Sequence, residues 1–148
     1  KYLKKSKINH VWFRVFWLFG NKENRKRFFP QVISRLSKNK NTEIKNPEIG
    51  LDYTSVDDAA KMIVKVISKN NSNGIYNICS GDYKNLGKIA QFIAKILNKK
   101  KYLKFRKSKT KTKIYGCIKK LQKDKLYIKS NFQLKLRKFI LSYSQTTS

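Results

Sequence analysis

The amino-acid sequence predicts an α/β fold with neighbouring parallel strands. Two observations support this prediction. Short runs of β-branched and aromatic residues alternate with amphipathic segments of helical length, and 40% of the 148 residues are hydrophobic, which is enough for one core. We expect a single domain over residues 1–148, with the sheet and most helices in residues 11–98 and a basic tail with short helices in residues 99–148.

Short apolar runs predict the strands. Residues 11–19 are almost continuously aromatic or β-branched and end at Gly20, which is typical of a buried strand. A turn-forming segment, residues 70–74, precedes a second apolar run at residues 75–79. Shorter strands are predicted at residues 42–45, 51–56 and 102–106.

Helices are predicted where apolar residues recur every three or four positions. Pro30 suits the first position of a helix whose apolar residues share one face: Val32, Ile33 and Leu36. Asn85 is expected to cap a helix over residues 86–97. Two further helices are predicted at residues 115–122 and 131–143. The inward face of the last one is expected to contain Phe132, Leu136, Phe139 and Ile140.

The helix predicted over residues 59–69 follows two neighbouring carboxylates. Asp57 and Asp58 stand where a strand gives way to a helix, so one of them is expected to be the N-cap rather than half of a catalytic pair. The buried stripe of this helix is predicted to contain Ala60, Ile63, Val64 and Ile67.

The sequence is strongly basic, with a formal net charge of +28 at pH 7. Residues 1–82 carry 16 basic and 7 acidic side chains, whereas residues 83–148 carry 20 and 1. Such a field favours phosphate-bearing partners, so a free-standing nucleic-acid-binding module is one hypothesis. Its best candidate segment is 99–113, where Tyr102 and Phe105 could stack bases. Against it, 30 of the 36 basic residues are lysine, and base-reading surfaces favour arginine.

Several other classes of protein are excluded by composition. Two cysteines without a CxxC pair and one histidine leave no disulfide framework and no histidine-based metal site. The apolar stretch from Val11 to Gly20 is interrupted by Arg14 and is half the ~20 residues that a membrane span requires. Arg14 also argues against a secretory signal, so we expect no membrane span and a cytoplasmic location.

No catalytic motif is found by spacing. The six glycines form neither GxGxxG nor GxxGxxG, and no GxSxG is present. Tyr115 and Lys119 form a literal Tyr-x-x-x-Lys, whose residues could exchange protons if one helical turn apart. With 8 tyrosines and 30 lysines, one such match is expected by chance. We therefore predict no catalytic residue and no metal site in this chain.

The order of four segments resembles a known family. Their sequences are similar, in register, to the patterns LR-x-x-N-x-YG, IP, RD-[FY]-x-x-VDD-x-A and YN-x-G-[ST]-G, and they lie at residues 13–20, 29–30, 51–60 and 76–81. These patterns are typical of the C-terminal half of the NAD-dependent epimerase/dehydratase family, the extended short-chain dehydrogenases that act on nucleotide-sugars. Residues 115–140 also resemble the tail of that family.

The resemblance implies a fold, and it implies that cofactor binding and catalysis depend on residues outside this chain. It implies the C-terminal part of a Rossmann-like parallel sheet plus a small α/β substrate-binding subdomain, without the N-terminal Rossmann half. The family's NAD or NADP cofactor and its catalytic Tyr-x-x-x-Lys belong to that other half. We therefore expect them to be encoded upstream of Lys1, and we expect the 148 residues alone to bind no cofactor and to have no turnover.

The resemblance also implies a substrate site. It places Arg27 against the diphosphate of a nucleotide-sugar, and Trp17, Asp52 and Tyr53 around the sugar. Two positions depart from the family pattern, because Trp17 replaces its asparagine and Leu51 replaces the arginine that commonly contacts the diphosphate. Nearby basic residues could supply a different phosphate anchor: Lys22, Arg25 and Lys26.

Three hypotheses follow. The first is the substrate-side part of a nucleotide-sugar epimerase, dehydratase or reductase of polysaccharide biosynthesis, completed by its missing half or by a homo-oligomer. The second is the nucleic-acid-binding module. The third is a non-catalytic interaction protein whose exposed half-sheet edge needs a partner. The first requires the segments around Arg14 and Tyr76 to lie side by side in one sheet.

Overall fold

The computed structural model describes residues 10–107 and 111–145 and shows alternating strands and helices. The strands are β1 (Val11–Val15), β2 (Trp17–Phe19), β3 (Thr42–Ile44), β4 (Gly50–Leu51), β5 (Tyr53–Ser55), β6 (Gly74–Ile78), β7 (Lys84–Asn85), β8 (Leu103–Phe105) and β9 (Lys113–Ile114). The helices are α1 (Phe28–Ser37), α2 (Val56–Ser68), α3 (Leu86–Ile96), α4 (Lys119–Lys123) and α5 (Phe132–Gln145), with a 3-10 turn at Lys100–Tyr102. The fold is therefore α/β, as predicted.

Strands β1 and β6 lie side by side and parallel. Phe13 pairs with Tyr76, and Arg14 pairs with Asn77. Helix α2 covers one face of this pair, because α2 connects β5 to β6 and a parallel connection must cross the sheet. The arrangement required by the first hypothesis is confirmed.

The predicted single strand over residues 11–19 is divided at Phe16. The backbone N–H of Phe16 still donates to the carbonyl of Ile78 at 3.1 Å, but the next residue, Trp17, pairs with Tyr53 of β5. The segment is also less buried than expected, since Trp12 is 57% exposed and Val15 is 46% exposed. Within the described residues β1 pairs with β6 alone, which leaves one of its edges and one face open.

The remaining strands form short pairs. The strands predicted at residues 42–45 and 102–106 are confirmed as β3 and β8, which pair in parallel. Strand β4 pairs with β7 in the antiparallel sense and with β9 in parallel. These pairs hold the segment that contains Leu51 and Asp52 between two chain regions that are distant in sequence.

The larger of two hydrophobic clusters lies between α1, α3 and α5. The stripe predicted for α1 is confirmed, because Val32, Ile33 and Leu36 are each at most 4% exposed. The inward face predicted for α5 is also confirmed: Leu136, Phe139 and Ile140 are buried, and Phe132 packs against the same cluster. Residues of the predicted basic tail therefore contribute to this core.

The cap predicted for α2 is wrong, and of its predicted stripe only Ile63 packs against a hydrophobic cluster. Its buried residues are Asp58, Ala59, Met62 and Val66, whereas Val64 and Ile67 are 60% and 67% exposed. The helix begins at Val56, and its N-cap is Ser55, whose hydroxyl accepts from the N–H of Asp58 at 3.2 Å. The Ser55 hydroxyl also donates to the Asp58 carboxylate at 2.7 Å, so two hydrogen bonds join the N-cap residue to Asp58.

Three local predictions also need correction. Pro30 is the third residue of α1, not the first, which is tolerated because the first turn needs no intrahelical N–H bond. Asn85 is the N-cap residue of α3, as predicted, but its side chain makes no capping bond; its amide nitrogen donates to the carbonyl of Glu48 at 3.0 Å. The helix predicted at residues 115–122 is α4, which starts at Lys119, so Tyr115 and Lys119 do not share a helix. No helix in the described ranges has the length and apolarity needed to cross a bilayer.

Candidate functional site

Two of the four predicted site residues are direct neighbours. Trp17 and Tyr53 pair across the parallel strands β2 and β5, and Trp17 packs against the larger hydrophobic cluster. Arg27 is the N-cap of α1, which follows β2 after an eight-residue loop, residues 20–27. The short loop therefore brings Arg27 back towards the strand pair.

Tyr53 is a buried, neutral phenol. Tyr53 is 5% exposed, and its ring contacts the ring of Phe29 edge-to-face with centroids 4.8 Å apart. Burial raises the pKa of Tyr53 to about 12, and the nearby carboxylate of Glu23 acts in the same direction. Tyr53 can accordingly donate or accept a hydrogen bond at neutral pH but does not act there as a phenolate.

Glu23 is the site residue that the sequence interpretation missed. Its Oε1 lies 3.2 Å from Nε of Arg27, its side chain is 7% exposed, and its buried Oε2 has no hydrogen-bond partner among the described residues. Burial raises the pKa of Glu23 from 4.5 to about 7, although Arg27 opposes this shift. The signal was present in the sequence, because Glu23 is the one acid in an otherwise basic loop and precedes Arg27 by four residues.

The pair with Glu23 leaves part of Arg27 accessible. The Arg27 side chain is 48% exposed, and the ion pair uses its Nε, not the two terminal nitrogens of the guanidinium. A guanidinium held in this way presents a fork of N–H donors in the geometry that carboxylate and phosphate groups accept.

Asp52 is completely buried and serves as a structural hub. Its carboxylate accepts from the backbone N–H of Ser80 at 2.8 Å, the Ser80 hydroxyl at 2.7 Å, Gly81 N–H at 2.9 Å and Gly116 N–H at 3.1 Å. The sequence interpretation placed Asp52 in the lining of a sugar pocket, whereas the structure leaves 0% of the residue exposed. Asp52 fixes the end of β6 and the segment before α4 against β5.

A cleft of about 960 Å³ opens beside Tyr53. It lies between α3 and the segment 127–133, and its volume is within the range of small-molecule sites. Its aromatic lining is Tyr53, Tyr83, Phe92, Tyr127 and Phe132. Lys84, Lys88 and Lys129 also line it, whereas Trp17, Arg27 and Asp52 do not.

The described residues do not fit the dinucleotide that the family resemblance implies. A pyrophosphate cradle needs a strand that turns directly into a helix with open first-turn N–H groups. At the start of α2, the Asp58 carboxylate and the Ser55 hydroxyl already occupy that position. At the start of α3, the N–H groups of Leu86 and Gly87 donate to backbone carbonyls at 2.9 Å each. Within the described ranges there is also no cluster of three potential metal ligands among His, Cys, Asp and Glu.

Comparison with known proteins is consistent with the arrangement of these strands. The family model described as the NAD dependent epimerase/dehydratase family matches residues 1–79. No curated protein matches the chain.

Solved structures share the fold over nearly the whole chain. UDP-glucose 4-epimerase from Thermotoga maritima with UDP-glucose is 14% identical with a TM-score of 0.86, and the match covers 99% of this chain and 50% of that one. UDP-glucuronic acid 4-epimerase from Bacillus cereus with UDP-glucuronic acid and NAD is 19% identical with a TM-score of 0.83, covering 99% and 48%. RMD from Pseudomonas aeruginosa complexed with NADPH is 17% identical with a TM-score of 0.78, covering 93% and 49%.

The chain thus spans about half the length of the solved structures that it resembles, and its fold corresponds to part of a Rossmann-like architecture. The family model covers more than half of the 148 residues, in the region that contains the paired strands β1 and β6 and the loop that holds Arg27. The chain belongs to the NAD-dependent epimerase/dehydratase family.

Proposed function

We propose that these 148 residues form the substrate-binding half of a nucleotide-sugar epimerase, dehydratase or reductase. The observation that supports this most is the match of 99% of the chain to about half of an epimerase whose structure contains UDP-glucose. The complete enzyme would transfer hydride between NAD or NADP and a sugar carbon, as an oxidoreductase or isomerase in the cytoplasm that supplies polysaccharide biosynthesis. In this proposal the residues that bind the cofactor, and the catalytic tyrosine and lysine, lie outside these 148 residues.

The open side of β1 supports a partner half. β1 pairs with β6 alone among the described strands, and Trp12 and Val15 expose apolar surface beside the unpaired edge. An open strand edge with apolar side chains is costly in water and is normally covered. We propose that the cofactor-binding half, in the same polypeptide or supplied as a separate chain, continues the sheet there.

In this proposal Arg27 holds the diphosphate of the nucleotide-sugar. Glu23 fixes Nε of the guanidinium at 3.2 Å, so the terminal N–H groups can face the two phosphates. The neighbouring basic residues of the loop add attraction at longer range: Lys22, Arg25 and Lys26. The ring of Trp17 and the hydroxyl of Tyr53 line the sugar pocket, and Asp52 positions the surrounding backbone.

The experiment is a calorimetric titration of the purified chain with UDP-glucose and with UDP-glucuronic acid. R27Q should weaken binding at least tenfold, because one charge-assisted bidentate contact contributes about 1.5–3 kcal/mol. R137Q removes an equivalent charge from the exposed surface of α5 and should change the affinity less than twofold. Equal losses in both variants would contradict the role of Arg27.

A second measurement tests whether these 148 residues lack catalytic activity on their own. The chain alone should neither epimerise nor oxidise UDP-glucose in the presence of NAD or NADP, since residues 10–107 and 111–145 provide no pyrophosphate cradle and Tyr115 and Lys119 do not share a helix. Turnover by the isolated 148 residues would refute the proposed division, even if R27Q behaved as expected.

A further inference from the structure

A second cleft, of about 520 Å³, lies between α3 and β8. The first cleft and this one share Lys88 and Phe92, which line both. The two clefts therefore meet along α3, and we call the combined surface the α3 groove. It extends from the segment 127–133 at one end to Phe105 at the other.

Lysines follow the α3 groove along its length. Lys88 and Lys95 are exposed and lie two turns apart on α3, about 10 Å along its axis. Lys100 lines the groove at the β8 end, and Lys129 lines it at the other end. All eight acidic residues of the chain are among the described residues, and none of them forms an ion pair with these four lysines.

Aromatic side chains distinguish the α3 groove from the rest of this basic surface. A third of the residues lining the first cleft are aromatic, against 13% of the sequence. Phe92 lies where the two clefts meet, and Phe105 is 42% exposed at the β8 end. Tyr102, which the sequence interpretation paired with Phe105 as a stacking platform, is partly buried and packs against the same hydrophobic cluster as Phe92.

We propose that the α3 groove binds single-stranded nucleic acid. Exposed rings stack on unpaired bases of any sequence, and lysines beside them neutralise successive phosphates. The bases of a duplex stay stacked on one another, so they would not stack on the rings of Phe92 and Phe105. An acidic peptide would pair with the lysines but would leave the same rings without a partner. The groove shares Tyr53 with the proposed nucleotide-sugar site, whereas the phosphate anchor Arg27 lies outside the groove.

The test is fluorescence anisotropy of a labelled oligo(dT) with the full chain between 50 and 200 mM salt. K88Q/K95Q should weaken binding at least tenfold and reduce the slope of log affinity against log salt by about 1.4, or 0.7 for each phosphate that the variant no longer neutralises. K61Q/K65Q is the matched control, because Lys61 and Lys65 are exposed on α2 and the charge change is identical. This control should weaken binding less than threefold.

A second pair of variants tests the rings. F105A should weaken oligo(dT) binding about fivefold or more, since stacking on one ring contributes about 1–3 kcal/mol. W12A removes a similarly exposed aromatic residue from β1 and should have no effect. If K88Q/K95Q and K61Q/K65Q lost equal affinity for oligo(dT), the electrostatic field of the whole molecule would explain the binding, and the proposal would be overturned. Unchanged binding by F105A, or equal affinity for polyglutamate, would overturn it in favour of an acidic protein partner.

Discussion

The Oδ2 atom of Asp52 accepts a hydrogen bond from the backbone N–H of Gly116, 64 residues further along the chain, at 3.1 Å. The same carboxylate also accepts from Ser80 and Gly81. One buried anion therefore joins β5, the end of β6 and the segment that precedes α4. A buried carboxylate is stable in this position because backbone and hydroxyl donors replace the water that it has lost.

Replacing this carboxylate by an amide should destabilise the protein strongly. In D52N one acceptor oxygen becomes an NH2 group that faces N–H donors, so we expect a loss of about 3 kcal/mol in the free energy of unfolding, measured in urea at pH 7. D57N is the control, because the Asp57 side chain is 75% exposed and its 3.7 Å ion pair with Lys135 is screened by water. A similar loss in both variants would show that Asp52 is not the hub.

Gly116 is expected to tolerate no side chain. A Cβ at this position would overlap Sγ of Cys79 and would lie 2.8 Å from Cζ of Phe16. G116A should therefore lower the free energy of unfolding by about 1–3 kcal/mol, measured by denaturant titration. C79A removes one of the two obstructing atoms, so G116A/C79A should lose less than the sum of the single variants. If the losses of the two single variants were strictly additive, we would conclude that Cys79 does not contact a side chain at position 116.

Glu23 should make stability depend on pH near neutrality. Its pKa rises from 4.5 in the unfolded chain to about 7 in the fold, so between these values the folded protein holds a proton that the unfolded chain has released. Stability must then fall as the pH rises through this window. E23Q should remove this dependence and should be more stable than the natural chain at pH 8, with little difference at pH 5.

Thermal unfolding at several pH values between 5 and 8 measures this effect. E43Q changes an exposed glutamate that pairs with Arg106 at 3.4 Å and should leave the profile as it is. Asp58 and Asp124 do not interfere, since the pKa of each is lowered from 3.8 and their contributions are lost only at more acidic pH. An unchanged pH profile in E23Q would mean that Glu23 titrates as an exposed acid.

The Ser55 N-cap of α2 gives a prediction of smaller size. S55A removes the acceptor for the Asp58 N–H and should cost about 1 kcal/mol of unfolding free energy. S68A at the exposed end of the same helix is the control and should be neutral within about 0.5 kcal/mol. If S55A were as mild as S68A, the cap would have to be supplied by another residue.

Much of the framework could be predicted from the sequence. The β-branched runs that became β1 and β6, and the stripes of α1 and α5, were predicted because the hydrophobic period of each segment matches a single buried face. The order of four motifs then indicated which strands are neighbours. Phe13 pairs with Tyr76 in parallel, and α2, which connects β5 to β6, packs against this pair of strands.

The wrong predictions concern segments whose sequence pattern is compatible with two different structures. Helix α2 carries apolar residues on two faces, and only the contact with β6 decides that Met62 and Val66 are buried while Ile67 is not. The cap of α2 was predicted at Asp57 or Asp58, whereas Ser55, three residues before Asp58, is the N-cap. The spacing of Glu23 and Arg27 indicates an ion pair, but the burial of Glu23 depends on the packing of the whole loop, so its role in the site was missed.

The division at Phe16 constrains how this chain can vary. A single residue separates two strands that pair with different neighbours, so deleting or inserting one position there would turn Trp17 and Phe19 to the opposite side of β2. Substitutions in this stretch leave the alternation intact, but a change of length does not. We therefore expect homologous sequences to keep the length of this junction constant.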